Sequence, residues 1–512
     1  MENAEGLSIE INRNGTIRRF AHKDIVINLF PGNEVEAAPA NLFLRCVGEP
    51  YRVTPLLGPN SPSRFGMHEG HFLVEGEFEG LRYQARLVLA EDRPAWCWQI
   101  QLENRGLDPI EYDLIYAQDL AIAPYGAIRL NEYYVSQYID HEPLSHPGKG
   151  FVVASRQNQA VGGRYPWCLM GSLRHAQSYS TDALQIHGLD TRRDLPPPAL
   201  SEGLPGVLLQ HEHALVGLQD QVTCLAPGQG ASAGFYGWIE LDHPEATSPA
   251  DLGIVDEAVG LFETLPPVPS LSMEGLPPRS LFDVAPTLVA KSLDQGVLDQ
   301  LFGAERREAE YGDEGLLSFF TGRRTHVVLK AKEEAVLRPH GHILRTGGLF
   351  QTEETVLTST TYMNGVFHSM VTQGHVSINR FLSTTHSYLG LFKSHGLRVF
   401  VDAGQGWSRL GLPSAYSMAP EACRWVYQHQ AGLIEVVSRA STESHTLTLE
   451  VKVLDGSPVR CLFSHHVAMN GDDGSQPLPA VYERQGDGIR VGALPESEVG
   501  RRFPKGSFKI NP

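Results

Sequence analysis

The sequence is poor in the groups that mark several large protein classes. It carries 42 Lys and Arg against 59 Asp and Glu, a formal net charge of −17. A chain so short of basic residues is a poor match for nucleic acid or for an anionic membrane surface. Its six cysteines, Cys46, Cys97, Cys168, Cys224, Cys423 and Cys461, are scattered and form no CxxC pair. Apolar neighbours such as those in Trp96-Cys97-Trp98 suit buried, reduced thiols better than a disulfide framework. Met1 to Gly6 hold neither the basic nor the apolar stretch of a secretory signal, and no apolar run is long enough to cross a bilayer. The expected location is the cytoplasm. GxxxxGK[ST] and HExxH are also missing, which removes P-loop and zincin chemistry. Gly228/Gly230 and Gly404/Gly406 are not completed to GxGxxG and read as turns.

What is abundant is glycine and proline, 51 and 34 residues. That is about one residue in six, against about one in eight in an average protein. Many short elements joined by many turns are expected, hence a mainly β chain. Leu81 to Leu89 is apolar at its odd positions and carries arginines at two even ones, Arg82 and Arg86, and reads as a half-buried antiparallel strand. Val74 to Phe78 alternates too, and Glu79-Gly80 between them suits a hairpin turn. Trp96, Trp98, Ile100 and Leu102 share a strand face. Such strands, spaced by Gly, Pro and Asn, predict a large antiparallel β-sandwich over 1–263. Prolines 266, 267, 269, 277 and 278 then break the pattern. Val289, Leu293, Val297 and Leu301 recur every fourth residue, and 305–310 reads as a solvated helical face, so 264–315 is expected to be a Pro-rich and helical linker. Alternation returns in Leu447, Leu449, Val451 and Val453. A second β-rich domain is expected over 316–512, incomplete or followed by a missing catalytic domain.

Some motifs resemble reactive sites and have plainer readings. A metal site usually needs a third protein ligand, which the sequence alone does not supply for His211-Glu212-His213, His340-Gly341-His342 or His465-His466, so no metal is expected. Asp472-Asp473, flanked by glycines, point apart, whereas glycoside chemistry wants two carboxylates across a sugar-sized gap; the pair reads as a turn.

Two stretches have the composition of a sugar site, where polar groups read hydroxyls beside aromatic faces. The first includes Tyr116 to Asp119 and Asn131 to His141, from which Tyr134, Gln137, Tyr138, Asp140 and His141 are the candidate contacts. As plain sheet, too many of these residues are polar for both faces to be dry. The second runs from His340 to His386, with Asn364, His368, His375, Asn379 and Arg380 as candidates. Its few charges and many His, Asn, Ser and Thr suit a buried polar network, an interdomain surface or direct substrate contact.

The segments 14–19, 28–34, 133–141 and 340–350, and above all the block from Met363 to Tyr388, resemble the N-terminal half of 1,2-β-oligoglucan phosphorylases. These belong with the inverting enzymes related to cellobiose phosphorylase and cyclic β-1,2-glucan synthase. The resemblance spans essentially the whole chain. It implies a β-sandwich, a helical linker, an (α/α)6 barrel and a smaller β domain in the full enzyme. The implied reaction is phosphorolysis of β-1,2-glucosidic bonds, in which an aspartate of the barrel acts as general acid and inorganic phosphate attacks as co-substrate. No other cofactor is implied, and the product is α-glucose 1-phosphate. This sequence offers no position for that aspartate or for the phosphate-binding residues, so the barrel is expected to be absent. The expected role is the non-catalytic N-terminal portion, recognising β-1,2-glucooligosaccharide and shaping an active site, with a separate catalytic barrel chain as a partner. A stand-alone carbohydrate-binding or scaffold protein is the alternative. A complete β-sandwich lyase or hydrolase is disfavoured by the lack of an acid–base pair.

Overall fold

Side chains alternate across a strand, and in this chain both sides of the main sheet have cores to fill. The computed structural model describes all residues except 194, 211–212, 273–277, 314, 349–355, 374–379, 383–388, 393–395 and 468–479. The fold is mainly β, with curled sheets and short helices, and no barrel of helices occurs among the described residues. Two compact units are formed, Met1–Gly188 with Pro196–Val284, and Leu189–Leu195 with Ala285–Pro512.

In the first unit a 14-stranded sheet runs from Arg52–Pro55 at one end to Arg64–His68 at the other. Within it Gly150–Gln157, Trp167–Ser172, Gly230–Glu240 and Ala95–Asn104 are antiparallel neighbours. From Ala95–Asn104, Trp96, Trp98, Ile100 and Leu102 enter one core together with Leu42, Val216 and Phe235. Ala95 and Cys97 face a second core, closed by Val255, Ala258, Val259 and Phe262 of the helix Leu252–Phe262. A four-stranded sheet of Leu7–Ile11, Ile17–His22, Ile25–Val26 and Ala123–Pro124 contributes to the first core. There the ring of Phe20 meets Trp96 edge to face at 4.6 Å, and burial of such a side chain contributes about 1.5–3 kcal/mol. Gly237 lies opposite Trp96 in the ladder, and a Cβ there would sit 2.1 Å from the indole. Glycine is what lets the ring lie flat on the neighbouring strand. The hairpin between His71–Phe78 and Leu81–Leu89 turns on Glu79 and Gly80, at φ 51° and 83°. Those angles match the two-residue turn that follows strand twist.

The second unit has a seven-stranded sheet, two four-stranded sheets and a three-stranded one among the described residues. Leu447–Gly456 forms the last strand of the largest, with Val451 opposite Val436. Tyr416, Trp425, Tyr427 and Val436 are wholly buried at its centre. Leu189–Leu195 belongs to this unit: Arg192, 1% exposed, donates its Nε to the Leu389 carbonyl at 2.7 Å and also bonds the carbonyls of Val336 and Leu337.

Helix is shorter than the spacing of Val289, Leu293, Val297 and Leu301 implies. Asp294 caps the helix Gln295–Phe302 by accepting from the Val297 amide at 2.9 Å, and Gly303 at φ 82° ends it. Val289 is 76% exposed. The expected helical face at 305–310 is instead largely strand, Arg307–Gly312, paired with Gly315–Thr321. Past Gly303, pairing with that strand overrides the helix propensity of the Glu and Arg run. Cys46, Cys97, Cys168 and Cys423 are buried, whereas Cys224 is exposed. Among the described residues no helix is long and apolar enough to cross a membrane.

Candidate functional site

The stretch around Tyr134 is a surface helix rather than plain sheet. Asn131 ends the helix Tyr125–Leu130 and caps the next, Glu132–Gln137, its Oδ1 accepting from the Tyr134 amide at 3.2 Å. Val135 and Ser136 point inward. Val135 joins a cluster with Val26, Phe30 and Ile128, and Ser136 Oγ accepts from the Ala214 amide at 3.3 Å. The buried Gln157 side chain donates to the Val135 carbonyl at 3.1 Å. One face is therefore fixed to the sheet, and the opposite face is left to solvent.

Helical spacing brings residues four apart together on that face. Tyr134 and Tyr138, 52% and 42% exposed, stack with ring centroids 6.1 Å apart and planes at 28°. Tyr133 meets Tyr134 edge-on at 6.4 Å, and its hydroxyl accepts from Gln137 Nε2 at 2.7 Å. The exposed Asp140 follows on the strand Ile139–His146. Gln210, distant in sequence, donates to the carbonyls of Gln137 and Ile139 at 3.1 and 2.8 Å and ties the end of the helix down. The result is an aromatic platform edged by an amide and a carboxylate, the chemistry that takes the C–H face of a sugar while reading its hydroxyls. Sequence reasoning missed Tyr133 and Gln210. Tyr133 follows from helical spacing once the helix is known; Gln210 has no local signal.

The other candidates are placed differently. His141 is buried beside the platform, 2.8 Å from Ser155 Oγ, and burial lowers its pKa to about 4. In the second unit Asn364 is 2% exposed and donates to the Gly390 carbonyl at 3.4 Å. His368 is buried between Ser359 Oγ at 3.3 Å and Ser438 Oγ at 3.5 Å, its pKa lowered to about 3 by burial. Thr361, Tyr416 and Cys423 are joined to one another by buried contacts, Thr361 Oγ1 lying 2.8 Å from the Tyr416 hydroxyl and 3.4 Å from Cys423 Sγ. Arg380 begins the strand Arg380–Leu382, and His375 and Asn379 lie outside the described residues.

The tempting motifs resolve in the same way. His340 Nδ1 lies 2.5 Å from Glu333, His342 Nε2 lies 3.0 Å from the Ala419 carbonyl, and His466 lies 2.8 Å from Ser464 Oγ. His213 meets Phe30 at a tilt of 57° with ring centroids 4.9 Å apart, while His211, Glu212, Asp472 and Asp473 lie outside the described residues. No group of three metal-ligating side chains occurs among the described residues. Gly404 and Gly406 donate their amides to Asp402 Oδ1 at 2.8 and 3.1 Å, as a turn does. Among the described residues two carboxyls, Asp119 and Asp220, are pushed upward by burial, each to about 7. Asp119 accepts the Leu29 and Phe30 amides at 2.8 Å each, and neither carboxyl reaches solvent.

Residues 10–237 match the model of the SOGP N-terminal domain, and residues 304–511 that of the glycoside phosphorylase supersandwich domain. A 1,2-beta-oligoglucan phosphorylase from Listeria innocua serovar 6a is 27% identical over 471 residues, covering 91% of this chain and 41% of that protein. The chain thus spans about two fifths of the length of the curated relative it matches. Among solved structures, a polysaccharide lyase aligns at TM-score 0.33 with 9% identity, over 88% of this chain and 46% of its own. A bacterial glucoamylase aligns at TM-score 0.29 with 8% identity, over 51% and 36%. Likenesses that distant support no further step.

Proposed function

This chain is a relative of the 1,2-beta-oligoglucan phosphorylases, and from that premise we propose that it supplies carbohydrate recognition to an inverting phosphorylase of β-1,2-glucooligosaccharides. In that reaction glucan and phosphate give α-glucose 1-phosphate. The observation that carries the proposal is the solvent-facing stack of Tyr134 on Tyr138, set within the region that matches the SOGP N-terminal domain. Gln137 and Asp140 stand beside the rings to read sugar hydroxyls, and His141 holds the strand beneath them through Ser155.

These two domains bind and shape, and they do not themselves cleave. A glycosidic general acid needs a raised pKa and access to the leaving oxygen. Asp119 and Asp220 have the first and lack the second. Purified chain supplied with α-glucose 1-phosphate and sophorose is expected to release no phosphate. Release at a rate proportional to chain concentration would contradict the non-catalytic part of the reading. Electrophoresis through gels containing β-1,2-glucan tests recognition: retardation of the wild type is expected, with normal mobility for Tyr134→Ala/Tyr138→Ala.

A further inference from the structure

A second feature of the first unit, apart from the tyrosine platform, has no assigned role. It is an open cavity of about 460 Å³ lined by the turn after Leu7–Ile11, the start of Arg64–His68 and the segment from Pro278 to Asp283. Three arginines, Arg13, Arg64 and Arg279, are among its lining residues. Carboxylates outnumber basic groups in this chain, so most arginines can find an acid. Among the described residues, Arg13 and Arg64 have no hydrogen bond or ion pair from their guanidiniums, and Arg279 bonds the carbonyl of Asp283 alone, at 3.2 Å. Of the two acids on the lining, Asp283 already accepts from the amide and hydroxyl of Ser280 at 2.7 and 2.8 Å. Glu34 is the other. Guanidiniums without carboxylates, gathered around one concavity, form a receptor for a phosphoryl group, which they bind through forked donors.

The cavity is larger than an inorganic anion needs and falls in the range that encloses a small organic ligand. Phe65 and Phe282 give it apolar walls. Phe65 lies against Gly15, where a Cβ would come within 2.5 Å of the ring, and stacks on Phe72 at 6.0 Å, so its position is fixed from behind. Asn12 is fixed as well, its amide donating to Thr16 Oγ1 and the Gly32 carbonyl at 2.9 Å each. We propose that this cavity binds the phosphomonoester of a sugar-sized polyol, with Arg13, Arg64 and Arg279 on the phosphoryl oxygens and Phe65 and Phe282 against the carbon skeleton.

Titration calorimetry of the full chain with α-glucose 1-phosphate, inorganic phosphate and glucose tests this. The ester is expected to bind at least tenfold tighter than either fragment. Arg13→Gln and Arg64→Gln are each expected to weaken it at least fivefold, and Arg64→Lys to weaken it less than Arg64→Gln. Arg13 is exposed and Arg64 half-buried, so thermal midpoints within a degree or two of wild type should show that these variants fold. No binding at 10 mM ester, or affinity unchanged in both glutamine variants, would overturn the site. Equal affinity for free phosphate would overturn the sugar-sized ligand.

Discussion

Arg45 and Asp113 are 2% and 0% exposed, and the guanidinium grips the carboxylate with both prongs, Nε to Oδ1 at 2.7 Å and Nη2 to Oδ2 at 2.6 Å. Gln219 donates to the same carboxylate at 2.9 Å, and the Leu200 carbonyl accepts from Arg45 at 3.1 Å. Removing one partner of a buried pair leaves a bare charge, which costs about 3–5 kcal/mol. Asp113→Ala is therefore expected to lose about 3 kcal/mol or more in urea unfolding, and the apolar double variant Arg45→Met/Asp113→Leu to lose less than the single one. Gly237 offers a steric test. Its partner Trp96 is wholly buried and cannot swing away from a new methyl group 2.1 Å from the ring. Gly237→Ala is expected to cost about 1–3 kcal/mol, and an unchanged unfolding midpoint would refute the flat packing of that indole.

At the scale of elements, sequence periodicity located strands well and misjudged the segments where two periods compete. The hairpin at Glu79-Gly80 and the strand Leu447–Gly456 follow from alternation and turn chemistry, both local properties. The region from Asn131 to Tyr138 carries tyrosines and Val135, residues at home in strands, yet it forms a helix because Asn131 caps it and Val135 has a cluster to enter. The same helix makes the tyrosine platform, since a strand would have spaced Tyr134 and Tyr138 a full 13 Å or so apart. Asn364 and His368 were legible as members of a polar group, with a buried network among its readings, but their partners were not: Gly390 and Ser438 lie far along the chain and leave no mark in the local sequence. Arg192 is a similar case, because its carbonyl partners around 336 and 389 exist only after folding. Breaking the cap tests the element directly. Asn131→Ala is expected to cost about 1 kcal/mol and to weaken glucan retention in the gel, because the platform frays with its helix. Loss of stability with retention intact would separate the helix from binding.

The whole molecule should be more sensitive to acid than its surface carboxylates imply. His141, His187 and His465 are lowered by burial to about 4, and His213 and His368 to about 3. Below about pH 6.5 the unfolded chain protonates these rings and the folded chain does not, so stability falls as pH drops from there towards 4. Asp119 and Asp220, raised to about 7, act oppositely: the folded chain keeps their protons and stability falls as pH rises from about 4 to 7. Among the described residues these five imidazoles outnumber the two carboxyls, and the acid side loses. Urea midpoints are expected to decline from pH 6.5 to 4.5, and His141→Gln to make that decline shallower; a midpoint rising with acid would reverse the account.

The central claim is that a surface of the first unit recognises glucan through stacked tyrosines. Titration calorimetry of the intact chain with β-1,2-glucooligosaccharides is the most direct measurement. Binding heat is expected at millimolar ligand or below, with affinity at least tenfold weaker for Tyr134→Ala/Tyr138→Ala at an unchanged unfolding midpoint. Absence of heat from the wild type, or equal affinity in the double variant, would contradict it.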